Sequence, residues 1–236
     1  MFKRSVQRNA LLARIALVVF SISQSSLTLL AQTNSAESKW EADIKPFEAS
    51  DKTNPPPKGA ILFVGSSSIR LWKTLAQDFP EHRVINRGFG GSQLADSVAF
   101  ADRIVIPYQP KLVLLYAGDN DIAAGKAPEK VLEDFMMFVK KVHTALPQTR
   151  IAYISIKPSL ARWQLVNQMR VANRLIEVYS QTRKDYTLIR FIDVFTPMLG
   201  TDSKPRKELF ISDGLHLNAK GYELWTSVIR PYLSKP

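Results

Sequence analysis

Residues 60–69, Ala-Ile-Leu-Phe-Val-Gly-Ser-Ser-Ser-Ile, constrain the fold of this chain more than any other stretch. An unbroken apolar run from Ala60 to Val64 meets a glycine and three serines without transition. A run that is too short for a helix and bounded by turn formers reads as a strand covered on both faces. Strands of that kind belong to parallel α/β sheets, where ligands sit at the carboxyl ends of the strands. The stretch therefore places hydroxyl groups where a ligand is expected, and one of Ser66, Ser67 and Ser68 is a candidate nucleophile.

Four more apolar runs follow, at Arg83 to Asn86, Lys111 to Tyr116, Arg150 to Ile156 and Leu188 to Val194. Between and after them lie helical patterns. These run from Ile69 to Gln77, from a cap at Ser92 to about Val105, from Pro128 to about Leu146, from Leu160 to about Thr182, and from Asn218 to Ile229, before Pro231. The third carries Val131, Phe135, Val139 and Val142 at spacings of three and four, the stripe of an amphipathic helix. Strands alternating with helices predict an α/β fold with helices on both faces of the sheet. Right-handed crossovers then favour a three-layer α/β/α sandwich with a five-stranded parallel sheet in the order 2-1-3-4-5. The 236 residues, 45% hydrophobic and 22% charged, suit one such core.

The chain divides into three parts. In residues 1–31, Lys3, Arg4, Arg8 and Arg14 accompany the apolar run Ile15 to Ile22, and small or polar residues follow, which is the layout of a signal peptide cleaved after Ala31. The expected product is exported, periplasmic or secreted, and not stably inserted in a membrane; the alternative is a tether formed by an uncleaved N-terminal segment. Residues 32–58 read as a short helix with Trp40, Ile44 and Phe47 on one face, then a stiff connection through Pro55, Pro56 and Pro57. Residues 59–236 form the main domain. The whole chain carries +11, but removing the four leader cations from the 32 basic residues leaves 28 against 21 acidic ones, an excess near +7. The remaining cations are scattered, without the basic stripe and interleaved aromatics of a nucleic-acid surface, so no nucleic-acid partner is expected.

A serine hydroxyl needs a neutral base within hydrogen-bond reach and a third group to orient that base. Of three histidines, His82 falls in a charged connector and His143 on an amphipathic helix, whereas His216 lies in Ile211-Ser-Asp-Gly-Leu-His-Leu-Asn218, between the last strand and the last helix. Asp213 precedes it by three residues, with Gly214 allowing a tight bend, so the carboxylate is able to return to the imidazole. Asp213 also suits a plain turn that bonds its own backbone, and Asp193 is a competing acid. A tetrahedral intermediate requires donors for its oxygen: the backbone N–H groups of Ser67 and Gly91 and the side-chain amide of Asn120 are the candidates, each on a different loop at one sheet edge. Arg70, Phe89 and Arg162 are candidates to line the substrate pocket, and Trp72 suits either the pocket or the core.

Rival chemistries lack their motifs. Gly65-Ser-Ser-Ser-Ile69 misses the second glycine of the G-x-S-x-G elbow. Gly88-Phe-Gly90 does not complete a dinucleotide fingerprint, and there is no P-loop, so no nucleotide cofactor is expected. With no cysteine and no histidine pair at ligand spacing, neither a disulfide framework nor a metal is expected.

Four blocks in order, Phe63-Val-Gly-Ser-Ser-Ser-Ile69, Asn86-Arg-Gly-Phe-Gly-Gly91, Gly118-Asp-Asn-Asp121 and the D-x-x-H of Asp213 and His216, resemble the SGNH or GDSL hydrolase family over about residues 59–231. The resemblance singles out Ser67 as nucleophile and sets Ser66 where the family has aspartate. It makes Gly91 and Asn120 the partners of Ser67 in the oxyanion hole and implies ester hydrolysis through an acyl-serine, without metal or nucleotide. Members act on acetylated sugars, lysophospholipids, thioesters and aryl esters. The expectation is an exported esterase for short-chain, especially acetyl, esters of small molecules or glycans. A lysophospholipase or thioesterase is the alternative within the family, and a non-catalytic glycan-binding module is the alternative outside enzymes.

Overall fold

The computed structural model describes residues 29–182 and 188–234, with side chains from residue 39 onward. Five parallel strands form one sheet in the order β2-β1-β3-β4-β5, the expected order. They are β1 (Ile61–Gly65), β2 (Val84–Gly88), β3 (Leu112–Tyr116), β4 (Arg150–Ile154) and β5 (Ile189–Ile192). The α-helices, in chain order, are α1 (Leu29–Thr53), α2 (Ser67–Arg70), α3 (Leu75–Asp78), α4 (Leu94–Ala99), α5 (Ala101–Ile104), α6 (Asp119–Ala123), α7 (Pro128–Ala145), α8 (Val166–Thr182) and α9 (Ala219–Leu233).

Side chains alternate across β1, which explains why the whole strand is apolar. Leu62 and Val64 face a core shared with α1, α4, α5, α7 and α8, while Ile61 and Phe63 face a second core shared with α2, α3 and α9. The stripe expected on α7 is the one it buries, and Pro128 opens that helix, where its missing N–H costs nothing. In the second core Trp72 stacks on Tyr222 with centroids 5.0 Å apart and meets Trp225 edge-on. Trp72 is only 1% exposed, so of its two readings the core is the one the fold takes.

Several elements depart from the sequence expectation: the helix expected from Leu160 begins only at Val166, and the one expected from Ser92 to about Val105 is broken into α4 and α5. The helix expected from Ile69 to Gln77 is two short ones, α2 and α3: at the break Trp72 N–H donates to Ile69 C=O and Lys73 N–H to Leu71 C=O, and Asn86 Nδ2 adds a bond to Ile69 C=O at 2.7 Å. Ser92 does not cap the next helix: its hydroxyl donates to Phe89 C=O, and the Asp96 carboxylate accepts from Gln93 N–H at the start of α4. The last helix continues through Pro231 to Leu233, whose buried side chain rewards the extra turn.

α1 is longer than a short docking helix and contains Pro46. Trp40 and Ile44 enter the first core and Phe47 packs against it. Two cation sites tie it down. Arg103 pairs with Glu41 and with Glu48, the latter at 2.7 Å, and Asp51 accepts from Arg87 and from the Tyr108 hydroxyl, each at 2.5 Å. The proposed leader lies outside the described residues, apart from its last three positions, which fall in the first turn of α1. Among the described residues no helix is long and apolar enough to cross a membrane.

Candidate active site

The site forms where β1 stops. Gly65 has φ of +130°, and a Cβ there would lie 1.8 Å from Tyr116 O, so only glycine lets the chain turn this close to β3. Ser66 N–H donates to Tyr116 C=O at 2.9 Å, and Ser66 C=O accepts from Ile69 and Arg70 N–H to start α2. This turn distinguishes three serines that composition treats alike. Ser66 is fully buried, and its hydroxyl has no partner among the described residues. Ser68 is buried beside Tyr222, whose hydroxyl donates to Ser68 C=O. Ser67 is partly exposed at the first position of α2.

His216 Nε2 lies 3.0 Å from Ser67 Oγ, across 149 residues of chain, and His216 Nδ1 lies 2.5 Å from Asp213 Oδ2. The two sequence readings of Asp213 are both realised, one on each oxygen. Oδ1 accepts from Leu215 and His216 N–H at 2.8 and 2.9 Å, the plain turn, while Oδ2 holds the ring. Partial burial alone would raise the Asp213 carboxyl, but the ring and the two N–H groups outweigh it and hold the acid at about 2. Asp193, the competing acid, accepts from Thr196 N–H in a turn of its own. His143 contacts Thr149 C=O and His82 contacts Ser234, so neither belongs to this group.

The three oxyanion candidates follow three neighbouring strands of the sheet: Ser67 follows β1, Gly91 follows β2 and Asn120 follows β3. The N–H groups of Ser67 and Gly91 have no acceptor among the described residues, as expected for the first turn of α2 and for a loop glycine at φ of +76°. Asn120, at the start of α6, donates one amide hydrogen to Ser92 C=O at 3.0 Å, which leaves the other available. Its carbonyl oxygen accepts from Arg162 Nη1 at 3.0 Å, which fixes the orientation of the amide.

Arg162 thus touches an oxyanion candidate rather than only a pocket wall. The same Nη1 lies 3.1 Å from Asp119 Oδ2, and Lys157 Nζ lies 3.6 Å from that oxygen. Lys157 is 1% exposed; burial pulls its ammonium below the usual lysine range, against the pull of Asp119. A second buried pair joins the loops. The Asp121 carboxylate accepts from Leu94 N–H and from Lys126 at 3.0 Å, and Lys126 also reaches Asp134. Burial pushes Asp121 up to about 6 in spite of Lys126. Trp40 of α1 supports the glycine loop from outside: a Cβ on Gly91 would sit 3.5 Å from its ring.

Phe89 corrects the sequence reading. Its side chain is 0% exposed and lies edge-on to Trp40 and Phe100, so it packs beneath the glycine loop and offers no surface to a substrate. Its position beside Gly90 and Gly91 suggested the pocket, but its ring points to the opposite side of the loop. Sequence reasoning did not single out Lys157, Asp119, Asp121 or Trp40 for the site. The one available signal was the run of two acids around Asn120, which demands cations once buried. Among the described residues no group of three His, Cys, Asp or Glu stands close enough to hold a metal ion.

A parallel sheet with these side chains at the carboxyl ends of its strands defines the class, an α/β/α hydrolase acting on esters. The profile of the GDSL-like lipase/acylhydrolase family matches residues 62–224, and the chain belongs to that family. No curated protein matches the sequence. Solved structures share the fold at low identity. A Streptococcus pneumonia protein provisionally described as a platelet activating factor is 21% identical at a TM-score of 0.72, covering 88% of this chain and 99% of its own. A GDSL-like lipase from Bacteroides thetaiotaomicron is 20% identical at 0.69, covering 81% and 97%. A carbohydrate esterase family 3 protein from Talaromyces cellulolyticus is 15% identical at 0.60, covering 73% and 95%.

Proposed function

We propose that this chain is an exported serine esterase that hydrolyses short-chain esters, acetyl esters above all, of small molecules or glycans. The observation that carries the reading is the unbroken row from Ser67 Oγ through His216 to Asp213, with contacts of 3.0 and 2.5 Å. Ser67 Oγ attacks the ester carbonyl while His216 Nε2 takes its proton, and Asp213 holds the ring in the tautomer whose Nε2 is free and stabilises the imidazolium. The carbonyl oxygen becomes an oxyanion facing the N–H groups of Ser67 and Gly91 and the free amide hydrogen of Asn120. Collapse breaks the bond to the alcohol, which leaves with the proton from His216. Water, deprotonated by the same ring, then releases the acid and restores Ser67.

Glycan esters are supported by the fold shared with a carbohydrate esterase, and acetyl groups by the fold shared with an acetyl esterase. Export rests on the basic and then apolar leader, with the mature chain starting at Gln32 and retaining the part of α1 that packs on the domain.

A fluorophosphonate probe tests the nucleophile: wild type is labelled and Ser67→Ala is not. Equal labelling of both, or of neither, sinks the assignment. A series of p-nitrophenyl esters tests the acyl preference, with acetate expected to be fastest. A rate that climbs with chain length assigns the site instead to lysophospholipid or thioester chemistry, and glycan binding without turnover to a non-catalytic module. N-terminal sequencing of the exported protein is expected to begin at Gln32, and an intact Met1 contradicts cleavage.

A further inference from the structure

Two arginines stand on either side of the oxyanion candidates with guanidinium nitrogens unspent. Arg70, the last residue of α2, is exposed, and its side chain has no hydrogen-bond or ion-pair partner among the described residues. Its guanidinium lies against the glycine loop: a Cβ on Gly90 would fall 2.5 Å from the Arg70 Cζ and Nε, so only a glycine leaves room for the guanidinium beside the residue before Gly91. A Cβ on Gly88 would fall 2.2 Å from the Arg70 backbone nitrogen, so the backbone of α2 also runs close over β2. On the other side, Arg162 spends a single nitrogen, Nη1, on both Asp119 and Asn120.

The acids nearby are already engaged. Asp119 is shared between Lys157 and Arg162, and Asp213 is held by His216 and two N–H groups. The oxyanion side therefore carries an excess of positive charge. A groove of about 510 Å3 along the β2 edge is lined by residues of α1, by Arg70 and by Val84, Asn86 and Gly88; Lys73 adds a second cation to it and Asp43 one anion.

We infer that the ester this site accepts carries a negatively charged group, a carboxylate, sulfate or phosphate, that sits on Arg70 beside the glycine loop and extends toward the groove. This rests on the esterase reading above and narrows its substrate class. A planar guanidinium beside the glycine loop recognises such groups through paired hydrogen bonds and selects the substrate without taking part in proton transfer. Arg162 adds long-range attraction from the opposite side.

The test compares isosteres. Mono-p-nitrophenyl succinate places the charge on the acyl side, and p-nitrophenyl butyrate is its neutral counterpart; 4-acetoxybenzoate places the charge on the alcohol side, with 4-acetoxybenzamide as the neutral control. For wild type, one of the two anionic esters is expected to exceed its counterpart in kcat/KM by roughly fivefold to tenfold, the size of one partly exposed charge pair. Arg70→Gln brings that ratio toward one, Arg70→Lys restores part of it, and added salt narrows it in wild type far more than in Arg70→Gln. Equal rates for charged and neutral esters, or a preference that survives Arg70→Gln, overturn the proposal. Calorimetry of mono-p-nitrophenyl succinate and 4-acetoxybenzoate binding to Ser67→Ala, with and without Arg70→Gln, separates this failure from failure of the esterase reading. If no ester is turned over but the arginine change still weakens binding, the anion site stands and the chemistry does not. If binding is absent or indifferent to Arg70, the anion site is wrong.

Discussion

The two halves of the candidate site are built by opposite means. Asp213 and His216 stand three residues apart in one exposed loop, and the same turn that shapes the loop also aligns the ring. Gly91 and Asn120 come from separate loops whose direct tie, Asn120 to Ser92, spans 28 residues and depends on buried ions around it. The proton-transfer half is local and the oxyanion half is tertiary. Damage to the first should therefore remove chemistry and leave the fold, whereas damage to the second should cost both.

The sharpest way to break this contrast is at the local half. His216→Ala is expected to lower kcat by roughly three to six powers of ten while the thermal midpoint stays close to wild type, read by esterase rate and calorimetric melting. A variant that melts early would show that the loop is structural after all. On the tertiary half, Asn120→Ala is expected to lower kcat by roughly a hundred- to a thousandfold with KM changed far less.

Asp121→Asn addresses the buried tie directly, and its cost in stability is expected to be largest near about pH 4, about 1–3 kcal/mol, and to shrink toward neutral pH, because burial disfavours the charged carboxylate that the amide cannot form. The pH dependence has a definite sign. Asp121 is harder to ionise in the fold than in the open chain, so its contribution is full below about pH 4 and is lost as pH rises through about 6. Melting of wild type and Asp121→Asn between about pH 4 and 7 should show the stability difference, wild type less variant, falling as pH rises. Smallest is Trp40→Leu, expected to cost about 1 kcal/mol and less than tenfold in kcat, since the ring lies behind Gly91 without touching the reacting atoms.

The same division explains what the sequence made legible. The strands announce themselves because both faces of β1 are covered and every residue from Ile61 to Val64 must be apolar. Asp213 and His216 are readable because their relation is fixed within one turn. The position of α1 rests on Arg103 and Arg87 meeting Glu41, Glu48 and Asp51 from far along the chain, and nothing local in those charges names their partners. Lys157 is concealed in the same way, as a lysine after a strand that ordinary composition would leave in solvent. Phe89 shows the limit from the other side, because adjacency to Gly91 says nothing about which side of the loop a ring takes.

The docking of α1 also bears on the order in which this molecule assembles. α1 precedes the sheet in the chain, yet Glu41 has to wait for Arg103, 62 residues later, and Asp51 for Tyr108, 57 residues later. During synthesis the helix is made long before its seat exists, and closing so wide a loop is a slow, late event. Trp40 reaches the glycine loop only when that closure is complete. The sheet and the loop of His216 are thus expected to mature independently of α1, and a transient release of this one helix in the finished protein would loosen Gly91 without unfolding the rest.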